Sequence, residues 1–126
     1  MKIDYQKWDK NGRMIVINGK KYVVAPEDLI FEGDGKSTTF WHQEDARQVH
    51  IQLACGWSIP TREQMICIVE EMKAGGRFDL TDYPYWIDCA NGAYSPRTMR
   101  DVPVLEINEG ITCRIRCICA LNCLME

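Results

Sequence analysis

Four cysteines near the C-terminus, Cys113, Cys117, Cys119 and Cys123, are the densest set of potentially reactive side chains in the sequence. Two kinds of chemistry suit such a set: a zinc centre or a redox-active thiol pair. Structural zinc is held by Cys-x2–4-Cys knuckles at turns, where thiolates converge. Strand residues two apart point the same way but stand about 7 Å from each other. A reactive pair needs thiolates, and an arginine lowers a thiol pKa only when it faces the sulfur. In Cys113-Arg114-Ile115-Arg116-Cys117-Ile118-Cys119, a period of two sends three thiols and Ile115 to one face and both arginines to the other. The thiols are therefore expected to be inert core residues, with no metal and no cofactor. Seven cysteines leave at least one unpaired in a monomer. Free, mostly buried thiols in a reducing compartment are the expected state, with one or two disulfides as the alternative.

The second candidate is aromatic. Residues 77–101 hold Phe78, Tyr83, Tyr85, Trp86 and Tyr94 among Pro84, Asn91-Gly92 and Ser95-Pro96, without a helix or strand pattern of useful length. A loop of that length is usually functional. Tyr83, Tyr85, Tyr94, Arg97 and Arg100 have the composition of a binding patch, large stiff amphipathic rings beside arginine. The competing reading makes Tyr85 and Trp86 strand and core residues. Trp41, Trp57 and Trp86 are expected in the core, and Tyr83, Tyr94, Arg97 and Arg100 at the surface. The two histidines offer no catalytic arrangement: His50 falls on an apolar helical stripe, where a bond to backbone is expected, and His42 is placed to cap the same helix. No phosphate loop, dinucleotide glycine motif or His-Glu-x-x-His is present.

The elements that must position these residues are legible in part. Met14–Ile17 and Lys20–Val24 flank Asn18-Gly19, the signature of a hairpin with a type I′ turn. Pro26-Glu27-Asp28 ends it, and Gly33-Asp34-Gly35 marks a further turn, so residues 1–36 read as a β-rich preface to a core of residues 37–126. Ala46, Val49, His50 and Leu53 form a helical stripe over Gln43–Cys55 that Gly56 stops. Thr61-Arg62-Glu63-Gln64 is a capping box, and Met65, Ile68, Val69 and Met72 continue a second helix to Gly75-Gly76. Val102–Ile107 and Ile111–Ala120, separated by Asn108-Glu109-Gly110, predict a C-terminal hairpin. The class expected is α+β, two helices on small antiparallel sheets in a single domain over 1–126.

Composition bounds the partners. With 126 residues, 46% of them apolar, the chain has the size of one domain with its own core. A net charge of -3 and a pI near 5.4 provide no basic field for a phosphate backbone, so nucleic acid is an unexpected partner. Apolar runs of no more than five residues are far short of a bilayer span, and the polar N-terminus has no signal-peptide core. A cytoplasmic or phage-particle location is expected.

In order, Asp45-Ala46, Cys55-Gly56-Trp57-Ser58-Ile59-Pro60-Thr61-Arg62-Glu63-Gln64, Tyr85-Trp86 and Ile115-Arg116-Cys117-Ile118 resemble the bacterial lectin-like domains called the Fibrobacter succinogenes major paralogous domain and their Legionella collagen-like-protein C-terminal relatives. The likeness is to that family's Glu-Ala helix, Gly-Trp-(His/Arg)-Leu-Pro-Thr segment, Tyr-Trp-Ser-Ser strand and Val-Arg-Cys-Val terminus, over about residues 39–120. Ile87-Asp88 stands where the family has Ser-Ser. The resemblance implies a C-type-lectin-like fold with the N-terminal hairpin as an addition, and a recognition role for the loop region. It brings calcium into question, because Asp79, Asp82 and Asp88 carry suitable oxygens. The Glu-Pro-Asn, Gln-Pro-Asp and Trp-Asn-Asp motifs of sugar-binding C-type lectins are absent, however, and Trp86-Ile87-Asp88 is only a faint likeness of the last. Formylglycine-generating enzymes share the fold and bind copper through late cysteines, which makes an oxidoreductase one alternative. A decoration protein of a larger assembly is another. The expectation is a non-enzymatic module that binds a protein or glycan partner through 77–101.

Overall fold

The computed structural model describes residues 3–33, 35–75, 79–108 and 110–121, Lys36 by its backbone alone. Cys123 of the zinc spacing, Arg77 and Phe78 at the head of the aromatic segment, and the turn residues Asp34, Gly76 and Glu109 lie outside them. The described chain is α+β, with three helices and several small antiparallel sheets. The hairpin forms as expected: β1 (Arg13–Ile17) pairs with β2 (Lys20–Val24), Ile17 opposite Lys20. Asn18 and Gly19 both take positive φ, 51° and 79°, as a type I′ turn requires. Ahead of it stands a helix the sequence reading lacked, α1 (Tyr5–Asn11), capped by Asp4, whose carboxylate accepts the Lys7 amide at 3.1 Å. Its buried residue is Trp8, so a seven-residue helix leaves no periodic signal. Gly12 joins it to β1 where a Cβ would stand 2.4 Å from the Val23 side chain, a space that only glycine fits.

After β3 (Phe31–Gly33), β4 (Lys36–Thr38) and β5 (Trp41–His42) come α2 (Gln43–Gln52), β6 (Trp57–Ser58) and α3 (Arg62–Gly75). The capping box closes as read: Gln64 accepts the Thr61 amide at 2.9 Å and Thr61 accepts the Gln64 amide at 3.2 Å. α2 ends three residues before Cys55, because Leu53 turns extended after donating its amide to Val49. His42 holds the N-cap position, and His50 accepts the Ile59 amide at 3.4 Å.

Two expectations fail beyond α3. Residues 79–101 are not an open loop: β7 (Tyr85–Ile87), β8 (Gly92–Ser95) and β9 (Arg100–Asp101) form an antiparallel sheet with Tyr85 opposite Tyr94. Nor, among the described residues, is there a C-terminal hairpin. Val104–Glu106 is an exposed 3-10 turn, and the cysteine-arginine segment is split into β10 (Thr112–Cys113), which pairs with β5, and β11 (Ile118–Ala120), which pairs with both β2 and β6. Between them residues 114–117 thread through the molecule, bonded backbone to backbone to Pro84 and Trp86 on one side and to Ala25 and Leu29 on the other.

The order β1-β2-β11-β6 makes the N-terminal hairpin part of the main sheet, not an addition to it. The alternation read from the last segment holds and sorts the interior in two. Cys113, Ile115, Cys117 and Cys119 join Trp8, Trp41, Trp57 and Trp86 in one core. Ile118 joins Ile15, Val24 and the α3 residues Met65, Ile68 and Val69 in the other. All three tryptophans expected in the core are buried. Among the described residues no helix is long and apolar enough to cross a membrane.

Candidate recognition surface

The arginines of the threaded segment share one acceptor. Asp28, in the loop pinned by Ala25 and Leu29, is buried, and its carboxylate accepts Arg114 Nη1 at 2.9 Å, Arg116 Nε at 2.9 Å and the Tyr85 hydroxyl at 2.9 Å. Arg116, 3% exposed, also donates to the Ala25 carbonyl at 3.3 Å and to Asp79 at 2.8 Å. Burial disfavours its charge, but Asp28 and Asp79 outweigh that and hold its pKa above the ordinary value. Burial, and then the Asp28 charge, push the Tyr85 hydroxyl up to about 12, so it donates to Asp28 while accepting the Thr81 amide at 3.0 Å. Sequence reasoning missed Asp28. The signal was present in two arginines within an apolar run, since buried guanidinium groups demand an acid.

Arg114 carries this cluster to the surface. Its guanidinium lies 4.7 Å from the Phe40 ring centroid and 5.4 Å from that of Tyr83, and the two rings meet edge to face at 5.2 Å. Tyr83, 56% exposed, is the solvent side of this stack. The register sets its neighbours: Tyr85 opposite Tyr94 puts Tyr83 at the end of the β7–β8 pair from which residues 96–99 project. Those residues form a turn in which Met99, at φ 55°, donates its amide to the Ser95 carbonyl at 2.8 Å. Arg97, Thr98, Met99 and Arg100 are exposed.

The five predicted binding residues therefore divide. Tyr83, Arg97 and Arg100 share one end of the sheet and face solvent. Tyr85 and Tyr94, 0% and 3% exposed, are paired in the α3 core. Tyr94, expected at the surface, is drawn inward because it stands opposite Tyr85 and packs with it in the cluster of Met65, Ile68 and Val69. Sequence reasoning did not single out Phe40, or the 3-10 turn where Val104 and Leu105 stand 82% and 95% exposed.

The other candidates are held in different roles. Asp79 is engaged with Arg116, whose bond and charge keep its carboxyl below the ordinary value against the opposing effect of burial. Asp88 accepts the Arg62 amide at 2.9 Å. Among the described residues no group of three or more His, Cys, Asp or Glu side chains is placed to hold a metal ion. Burial pushes the Cys113 thiol up to about 12 and the Cys117 thiol higher still, where both stay protonated. Cys55 and Cys89 are exposed, and Cys67 is half-buried.

The bend after β7 is the most strained backbone described. Asp88, Cys89 and Ala90 all take positive φ, 52°, 60° and 69°. Their surroundings hold them: Asp88 donates its amide to the Pro60 carbonyl at 2.9 Å, and the Ala90 carbonyl accepts the Gln43 amide group at 3.0 Å. This is where Ile87-Asp88 departs from the Ser-Ser of the lectin-like pattern. Comparison with protein-family models, with curated proteins and with solved structures finds no match to this chain.

Proposed function

We propose that the chain is a non-enzymatic recognition module of C-type-lectin-like type, and that it grips a protein partner with the end of the β7–β8–β9 sheet. The observation that carries this reading is the Tyr83–Arg114–Phe40 stack: an exposed tyrosine lies against an arginine that a buried carboxylate holds from behind. A ring ordered before contact loses little entropy on binding, the property that makes tyrosine an effective anchor. Arg97, Arg100 and the half-exposed Met99 beside it supply the charge and apolar area that hot spots combine. Met99 also favours a protein over a glycan, since sugar sites rely on hydroxyl-binding groups around a ring.

The protonated state of Cys113 and Cys117 supports binding over thiol chemistry. The unbridged Cys55, Cys67, Cys89, Cys113 and Cys117 accord with a reducing compartment, the cytosol or a phage particle assembled there. The test is capture by the immobilised protein from a host lysate, run beside a glycan array. A protein retained by the parent chain and lost with Tyr83→Ala is expected. Retention of glycans alone, or a protein retained equally by both, would contradict the proposal.

A further inference from the structure

We propose that two copies of this chain join edge to edge through β1, antiparallel about a dyad at Ile15, so that the four-stranded sheet continues across both. The two edges of that sheet differ. β6 is two residues long and runs into Pro60, a short edge closed to further pairing. β1 is five residues long and, among the described residues, pairs only with β2. Neither a proline nor a bulge guards it.

The turn determines which backbone groups that edge offers. In a two-residue hairpin the residues flanking the turn exchange both backbone bonds. Ile17, Ile15 and Arg13 therefore bond to Lys20, Tyr22 and Val24. The N–H and C=O groups of Met14 and Val16 consequently point away from β2, along the open edge. The same two residues carry apolar side chains 47% and 56% exposed. Backbone unpaired among the described residues and exposed apolar side chains coincide there, as in a strand prepared for addition of another.

Self-complementarity identifies the occupant as a second copy. With Ile15 facing its symmetry mate, Met14 of each copy lies opposite Val16 of the other, and these are the hydrogen-bonded pairs. Every outward amide and carbonyl of both edges is used at once. On one face Met14 and Val16 cover their counterparts. On the other, Arg13 shares the side of Ile15 and Ile17 and falls opposite Ile17 of the mate. Glu63 of α3 stands over that strand end, its carboxylate accepting the Asn18 side-chain amide. Each Arg13, whose charge also reaches its own Asp79, thus approaches Glu63 of the other copy. An unrelated strand would need an acid at that position, whereas a second copy supplies it twice.

Sedimentation equilibrium of the full chain, paired with hydrogen exchange at high and low concentration, tests this. A dimer is expected in which the Met14 and Val16 amides gain protection as concentration rises. Val16→Lys, at an exposed position, raises the dimer dissociation constant about tenfold or more and leaves the helix and sheet signals of circular dichroism unchanged. Met14→Lys repeats the test on the same face should Val16→Lys disturb the fold. Glu63→Arg weakens the dimer, and Arg13→Glu added to it restores association. A monomer at every concentration overturns the proposal. So does a dimer that both lysine variants leave intact, or one whose Met14 and Val16 amides exchange as fast as in the dilute protein.

Discussion

Tyr85 and Tyr83 are two residues apart and stand in opposite environments. Tyr85 is wholly buried, its hydroxyl bonded to Asp28, while Tyr83 lies on the outer side of the arginine that shares the same carboxylate. The inner region around Asp28 unites the chain by fixing residues 28, 85, 114 and 116. The outer region, Tyr83 and Arg97–Arg100, is held by that frame and contributes little to it. Identical residue types are thus sent to the interior or to the surface by their place along the strand, so a patch cannot be read from aromatic and arginine content alone.

Breaking the inner region gives the largest effect. Arg116→Ala leaves Asp28 buried without its main partner and is expected to cost about 3–5 kcal/mol in a denaturant melt. Arg97→Ala, fully outside the cluster, is expected to stay within about 0.5 kcal/mol. Equal losses for the two would erase the distinction drawn here.

Alkaline pH probes the interior by another route. The Cys113 thiol is raised from 9.0 to about 12 on folding, and that of Cys117 is raised as well. Below pH 9 both states hold these protons and stability is unaffected. Above it the unfolded chain releases them while the folded chain does not, so stability falls by about 1.4 kcal/mol per pH unit for each group. Tyr85 adds to the decline above pH 10. A melting temperature flat from pH 8 to pH 11 would show these groups to be solvated.

Tyr85→Phe removes one hydrogen bond from Asp28 and is expected to cost about 1–3 kcal/mol, measured by the same melts. Cys89→Gly has the opposite sign. At φ 60° and exposed, the position suits glycine, and relief of left-handed strain is expected to add about 1 kcal/mol.

Local chemistry made several elements legible. Asn18-Gly19 fixed a turn, Thr61-x-x-Gln64 fixed a helix start, and the alternation from Cys113 to Cys119 assigned residues to two cores although that segment is only partly strand. Contacts made at a distance were not legible. Trp8 forms a short helix worthwhile by packing on Trp57, with ring centroids 5.0 Å apart across the chain. The strands at 85–87 and 92–95 are too short for a periodic signal and are stabilised by pairing. Of the predicted patch, Tyr83, Arg97 and Arg100 are exposed together, whereas Tyr94 was inseparable from them by composition.

The smallest expected effect on stability carries the largest consequence for binding. The combined change Tyr83→Ala, Arg97→Ala and Arg100→Ala is compared with Lys20→Ala and Lys21→Ala, beside the N-terminal turn, in one measurement of affinity for the captured partner. The loop variant is expected to lose about 2 kcal/mol or more of binding, some thirtyfold in Kd, with its melting transition nearly unchanged, while the lysine variant binds as the parent does. Binding that survives the loop changes and is lost with the lysines would contradict the account and move the recognition surface to the hairpin.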